Sequence, residues 1–251
     1  MVAGPAVGDA VTRARRLPGL AVGLHLDLVD GLPALPRTEV PDLVGGEGRF
    51  DRNMTRAGFR FFFLPRVRRQ LAMEIRAQFE AFRATGLRLD HVNAHKHMHV
   101  HPTIARMIID IGRDYRMAAV RVPFEPVEPL RAAFPEEHYA EPFYRPLIGR
   151  LRGRLRAAGL LVNDNVFGLA WSGGFDETRL LRLIPHLPDG ISEIYLHPAS
   201  KSSAVLEAAM PGYRRAEEFA ALLNPAVKGR LAEFGVTLAS YGDFQSAGAR
   251  M

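Results

Sequence analysis

Five of the chain's nine histidines fall within LDHVNAHKHMHVHP, residues 89–102. Imidazole can ligate a metal, shuttle a proton or hydrogen-bond inside a core, so this density in mid-chain implies a site or a satisfied polar strand end. Side chains alternate across a strand, which places Asn93, His95, His97 and His99 on one face while the extended conformation lasts. Neighbours on such a face stand about 6.5–7 Å apart, so two imidazoles can converge on one ion but four cannot. The remaining histidines must hydrogen-bond, support the ligands or pack. Two other strand-like segments also carry a histidine near their ends, His25 in VGLHLDL and His197 in EIYLHPA. Parallel α/β folds gather their sites at the carboxyl ends of strands. His25, the 95–99 cluster and His197 are therefore expected at one rim, with Asp27, Asp90 and Glu193 near enough to orient rings or act as bases. Cysteine is absent, so a metal would rest on His, Asp or Glu. The chemistry this set suits is metal-assisted hydrolysis, in which a cation polarises a carbonyl and activates water.

The elements that must position these residues alternate between apolar strands and amphipathic helices. Residues 5–16 read as a helix and 21–29 as a strand, followed by a Gly- and Pro-rich loop over 30–58. A helix over 66–86 sets Leu71, Ile75, Phe79 and Phe82 on one face and stops at Gly86. Residues 87–95 form the next strand, and Pro102 opens a helix to about residue 115. Strand-like 117–125 precedes a basic helix over 145–158 that lines up Leu147, Leu151 and Leu155. A strand and its loop (162–173), a helix capped by Asp176, a strand (191–199), a helix (214–234) and a last strand (236–244) complete the chain. That order predicts parallel βαβ units in one domain, with about six strands and a fragment of another at MVAG.

Composition narrows the partners. At 251 residues, 47% hydrophobic and 24% charged, the chain can bury a substantial core. The net charge of +6 comes almost wholly from arginine, since lysine occurs only at Lys96, Lys201 and Lys228. Such a balance permits contact with anionic surfaces. No nucleic-acid-binding module, Gly-x-Gly-x-x-Gly turn or P-loop is present, so nucleic acid is not an expected partner. No run of about 18 apolar residues occurs, and the first residues lack a signal-peptide pattern. A cytoplasmic location is the expectation.

Three segments, VGLHLDLVDGLP, HVNAHKHMHVHP and EIYLHPA, together resemble the signature segments of the YdjC-like carbohydrate deacetylase family, in order and across nearly the whole chain. That family includes chitooligosaccharide deacetylases and hopanoid-biosynthesis-associated (HpnK) deacetylases, and NAHKHMHVHP with VFGLAWSGG resembles the second branch. The resemblance implies a distorted (β/α) barrel that removes acetyl groups from N-acetylated sugars with a divalent metal, Mg²⁺ first and Zn²⁺ second. It implies His25 and His95 as metal ligands and His197 as a general acid or transition-state contact. Asn93, His99 and Arg121 are weaker candidates for substrate contact or for supporting the ligands.

One departure matters. Family members open with a strand ending in Asp-Asp-Phe-Gly, then a helix and a second strand. This chain opens at MVAG, which matches the end of that second strand, and no Asp-Asp pair occurs anywhere in it. By the resemblance, one Asp is the third metal ligand and the other the catalytic base. The expectation is a barrel lacking its first strand and helix, through a start codon placed about 35 residues late, an estimate from βαβ lengths; an inactive copy is the alternative.

For the hopanoid branch the implied substrate is an N-acetylglucosaminyl hopanoid, a glycolipid held at a membrane. Peripheral contact with the inner membrane is then expected, with FRFFFLPRVRRQL (59–71) and helix 145–158 as candidate surfaces, although the phenylalanines of 59–63 read first as core or lid packing. Two alternatives stand beside the deacetylase: an inactive sugar-binding relative, and an amidohydrolase-type metal hydrolase using His95 and His97.

Overall fold

The computed structural model describes residues 1–248. In chain order the elements begin α1 (Val7–Arg15), β1 (Val22–Leu26), α2 (Met54–Phe63), α3 (Pro65–Ala84) and β2 (Leu89–Ala94). There follow α4 (Pro102–Gly112), α5 (Val127–Ala133), α6 (Arg145–Ala157), β3 (Asn165–Phe167), α7 (Glu177–Leu183) and β4 (Ser192–Ile194). The chain continues through α8 (Ala204–Ala209), α9 (Arg215–Leu223), α10 (Pro225–Glu233) and α11 (Tyr241–Gly248). It forms two compact units, the first from residues 1–121, 146–162 and 239–248, the second from 122–145 and 163–238.

The first unit is built on the parallel pair β1–β2, in which His25 stands beside Asn93 and Leu26 beside Ala94. Two further extended segments continue the pairing by single parallel bridges, Val92 with Val120 and Ala119 with Leu161. Leu24, Leu26, Val92 and Ala94 are buried in these strands, and α3 packs against them through Leu71, Ile75, Phe79 and Phe82. Those four are the residues the helical spacing singled out. The same helix buries a polar row four residues apart, Gln70, Glu74 and Gln78. Glu74 accepts from the backbone N–H groups of Ala34 and Leu35, and Gln78 exchanges two hydrogen bonds with the backbone of Asp27. Polar groups buried in a helix face are tolerated when paired in this way, and here they fasten the long loop that follows β1.

The second unit holds the parallel pair β3–β4, and the Phe124 carbonyl accepts from the Val166 N–H on the other side of β3. Its core gathers Leu130, Phe167, Trp171, Phe175, Leu180 and Leu183. Asp176 caps α7 by accepting from the Arg179 N–H at 3.0 Å, as expected for an Asp preceding an apolar helix.

Several expectations need correction. Among the described residues there are four strands in two-stranded sheets, fewer than six. Residues 117–125 contribute bridges only, and MVAG is a turn. The loop over 30–58 ends in a helix, α2, capped by Asn53. Residues 214–234 form two helices, because Pro225 cannot continue α9 and instead starts α10, capped by Asn224. Residues 236–240 take no regular structure, and Tyr241 opens a helix where a last strand was read. On α6 the buried residues are Ile148, Leu151 and Leu155, one position on from Leu147.

Candidate functional site

In the first unit, His25 points beside Asn93 because the parallel register pairs those positions. The His25 Nδ1 lies 2.5 Å from Asn93 Oδ1, and Asn93 Nδ2 lies 3.4 Å from Nε2 of His91. The Nδ1 of His91 in turn reaches Asp90 Oδ2 at 2.9 Å, and Asp90 Oδ1 accepts from the Gly242 N–H. One proton arrangement satisfies the whole row. His91 donates from Nδ1 to the carboxylate and accepts the Asn93 amide proton at Nε2, and Asn93 Oδ1 accepts from Nδ1–H of His25. His25 is thereby fixed as the tautomer that offers Nε2 as a lone pair. Burial pushes its pKa down to about 3, against the Asn93 hydrogen bond, so it stays neutral. The row needs room at one place: a Cβ on Gly23 would stand 2.6 Å from Cε1 and Nε2 of His91.

His95 follows β2 directly, and its ring meets that of His25 edge to face with centroids 5.7 Å apart. The strand does not go on to His97 and His99. Lys96 and His97 adopt left-handed backbone conformations, φ 49° and 54°, at a kink that turns the chain away from the strand. Non-glycine residues there cost roughly 1–2 kcal/mol each, and an ion pair from Lys96 to Asp30 ties this turn to the loop after β1. The shared face expected for Asn93, His95, His97 and His99 therefore ends at His95.

His99 is 0% exposed, and its Nε2 donates to the Arg121 carbonyl at 2.9 Å. It supports the backbone beside Arg121, and burial first, with the Arg121 charge as a smaller contribution, holds His99 and His25 toward their neutral forms. His101 caps α4, its Nδ1 accepting from the Thr103 N–H. Asp27, two residues beyond His25, is a buried carboxyl that burial pushes up to about 7. Its Oδ2 fills the space where a side chain on residue 31 would begin, 1.5 Å from an ideal Cβ, so any side chain on residue 31 would have to displace that carboxyl.

His197 belongs to the second unit. Its backbone N–H donates to Glu218, and its ring sits edge-on to Tyr195 at 5.5 Å and Tyr213 at 5.1 Å. Glu218 is fully buried and also accepts from the Phe175 N–H, which anchors the His-Pro segment to α9.

The structure thus joins His25, Asn93, His95, His99 and Arg121 in one unit. It adds His91, which was given no role from the sequence although its alternation with Asn93 was the available signal, and it pairs Asp90, expected near the rim to orient a ring, with that histidine. As a test for a metal, two imidazoles sharing one ion at ordinary metal–nitrogen lengths would place ring centroids about 5 Å apart, slightly closer than observed. A histidine whose other nitrogen donates to an oxygen is also the usual ligand arrangement. The pair fits as the nitrogen part of a donor set. Among the described residues, however, no group of three or more His, Cys, Asp or Glu is placed to hold an ion.

A family model described as YdjC-like protein matches residues 1–233. A carbohydrate deacetylase of Geobacillus stearothermophilus is 28% identical over 242 residues, covering 96% of this chain and 82% of that protein. One of Vibrio vulnificus strain CMCP6 is 29% identical over 250 residues, covering 97% and 82%. A crystal structure of an Enterococcus faecalis V583 protein, named for cellobiose-phosphate cleavage, superposes with a TM-score of 0.70 at 21% identity. The likeness covers 97% of this chain and 85% of that one.

Proposed function

The chain belongs to the YdjC-like family, and from that membership we propose that it is a carbohydrate N-deacetylase, a hydrolase whose amide-cleaving centre is built on His25 and His95. The observation that carries this reading is the edge-to-face meeting of those two rings, with His25 held in one tautomer. Relatives named carbohydrate deacetylases along most of the chain support the substrate class.

His25 and His95 would hold the divalent cation. When bound, that cation would supply Lewis acidity to the acetamide carbonyl. Mg²⁺ follows from the family resemblance, whereas a pair of imidazoles suits Zn²⁺ better than an ion that prefers oxygen. Asn93 keeps the His25 proton on Nδ1 and so keeps Nε2 available. Arg121 brings positive charge to this region and is the candidate for contact with a developing oxyanion or a sugar hydroxyl. His197, held between two tyrosines, is the candidate general acid for the departing amine. The distorted barrel remains part of the proposal, supported by the parallel pairing of all four described strands. So does an N-acetylglucosaminyl hopanoid as substrate, supported by NAHKHMHVHP and VFGLAWSGG.

The test is acetate release from an N-acetylchitooligosaccharide and from an N-acetylglucosaminyl hopanoid, after chelation and resupply of Mg²⁺ or Zn²⁺. Turnover that disappears in folded H25A and H95A is the expected result. No acetate from any N-acetylhexosamine conjugate with either metal defeats the proposal. The absence of a third ligand among the described residues favours one other reading, a sugar-binding protein without turnover. Glycan binding with no acetate release would establish it.

A further inference from the structure

The phenylalanines of 59–63 divide by side. Phe61 is buried in the first unit, while Phe59, Phe62 and Phe63 are 63%, 48% and 56% exposed. The exposed rings pack on one another, Phe59 on Phe63 at 4.4 Å and Phe62 on Phe63 at 4.8 Å, and exposed Leu64 follows. The expected core or lid packing therefore holds for Phe61 alone. Beside this aromatic patch runs a groove of about 640 Å³ lined by Phe62, Arg68, Arg69, Arg106, Met107 and Arg154 among others, none of them acidic. The four arginines are exposed, and the contact of Arg106 with Asp110 is long at 3.8 Å between two exposed side chains. Pairs of that kind hold their charges weakly.

Three contiguous exposed phenylalanines cost solubility unless something covers them. Aromatic side chains flanked by arginines suit one cover in particular. The rings enter the boundary between headgroups and acyl chains while the guanidinium groups stay with the phosphates. No helix among the described residues is long and apolar enough to cross a membrane.

We propose that the end of α2 and the arginine groove between α3, α4 and α6 form a docking surface for an anionic phospholipid bilayer. This surface stands independently of the deacetylase reading, since neither its residues nor its test involve turnover.

The experiment is co-sedimentation of the full chain with vesicles of phosphatidylcholine alone and of phosphatidylcholine mixed with phosphatidylglycerol. Wild type should bind the mixed vesicles, release them as salt rises, and bind the neutral vesicles much less. Each arginine at an anionic surface changes partitioning about fivefold, so R68Q/R69Q should bind roughly 25-fold more weakly. F59S/F62S/F63S should lose binding even at low salt. Because all five positions are exposed, circular dichroism and the melting temperature should match wild type in both variants. The proposal is overturned if mixed vesicles do not bind, or if either folded variant binds like wild type. It is equally overturned if free glycerophosphate displaces the protein as well as vesicles do, or if the phenylalanine variant only dissolves a dimer seen by sedimentation equilibrium.

Discussion

Replacing Asn93 by alanine tests the arrangement around His25 most directly. The side chain is buried, and both amide atoms are used, Oδ1 at 2.5 Å from His25 Nδ1 and Nδ2 at 3.4 Å from His91 Nε2. Truncation strands the His25 N–H away from water, and an unsatisfied buried donor costs about 1–3 kcal/mol. The 3.4 Å contact is too long to add much. The expected loss is therefore about 2 kcal/mol of stability, read by urea denaturation as a lower midpoint with an unchanged slope. A second effect should accompany it. Without the Asn93 acceptor, nothing prefers Nδ1–H over Nε2–H, so the nitrogen shifts of His25 should move from one tautomer toward a mixture. If His25 ligates a cation, losing this support should weaken metal affinity about 10- to 100-fold. A loss below about 0.5 kcal/mol, together with His25 still protonated at Nδ1, would refute the reasoning.

The pH dependence carries two opposing contributions. His25, with its pKa lowered to about 3, takes up a proton more readily when unfolded, so its contribution to stability falls as pH drops from about 6.5 toward 3. Asp27, raised to about 7, binds its proton more tightly when folded, so its contribution falls as pH rises from about 3.8 toward 7. D27N removes the second, and its stability should drop about 2 kcal/mol from pH 8 to pH 5 relative to wild type; parallel stability curves for the two proteins would contradict these shifts. G31A forces the Asp27 carboxyl out of its place and should cost at least about 2 kcal/mol, with much less loss on a D27A background in a double-mutant cycle. Additive effects would disprove that contact. D176A removes the α7 cap and should cost about 1 kcal/mol by denaturation.

Much of this was legible in the chain because it depends on local spacing. The i, i+4 apolar row of α3, the Asp176 cap, the Pro102 start of α4 and the extended segments bearing His25 and Asn93 follow from periodicity and backbone chemistry. The identity of His25 and His95 as a pair was accessible through the resemblance of their segments, since no local rule says which of nine imidazoles will meet.

What only tertiary structure decided is where extended conformation stops and which polar groups find distant partners. The turn after His95 takes two left-handed residues, Lys96 and His97, a conformation no residue type in HKH announces. From that turn Lys96 reaches Asp30, 66 residues away. His99 is buried by a bond to Arg121, and the tautomer of His25 is set by a row that ends at Gly242. A sequence determines periodicity because its neighbours are covalently fixed. Burial and charge state depend on groups brought together by folding, and these made a histidine run into a partner for His25, a buried support and a helix cap.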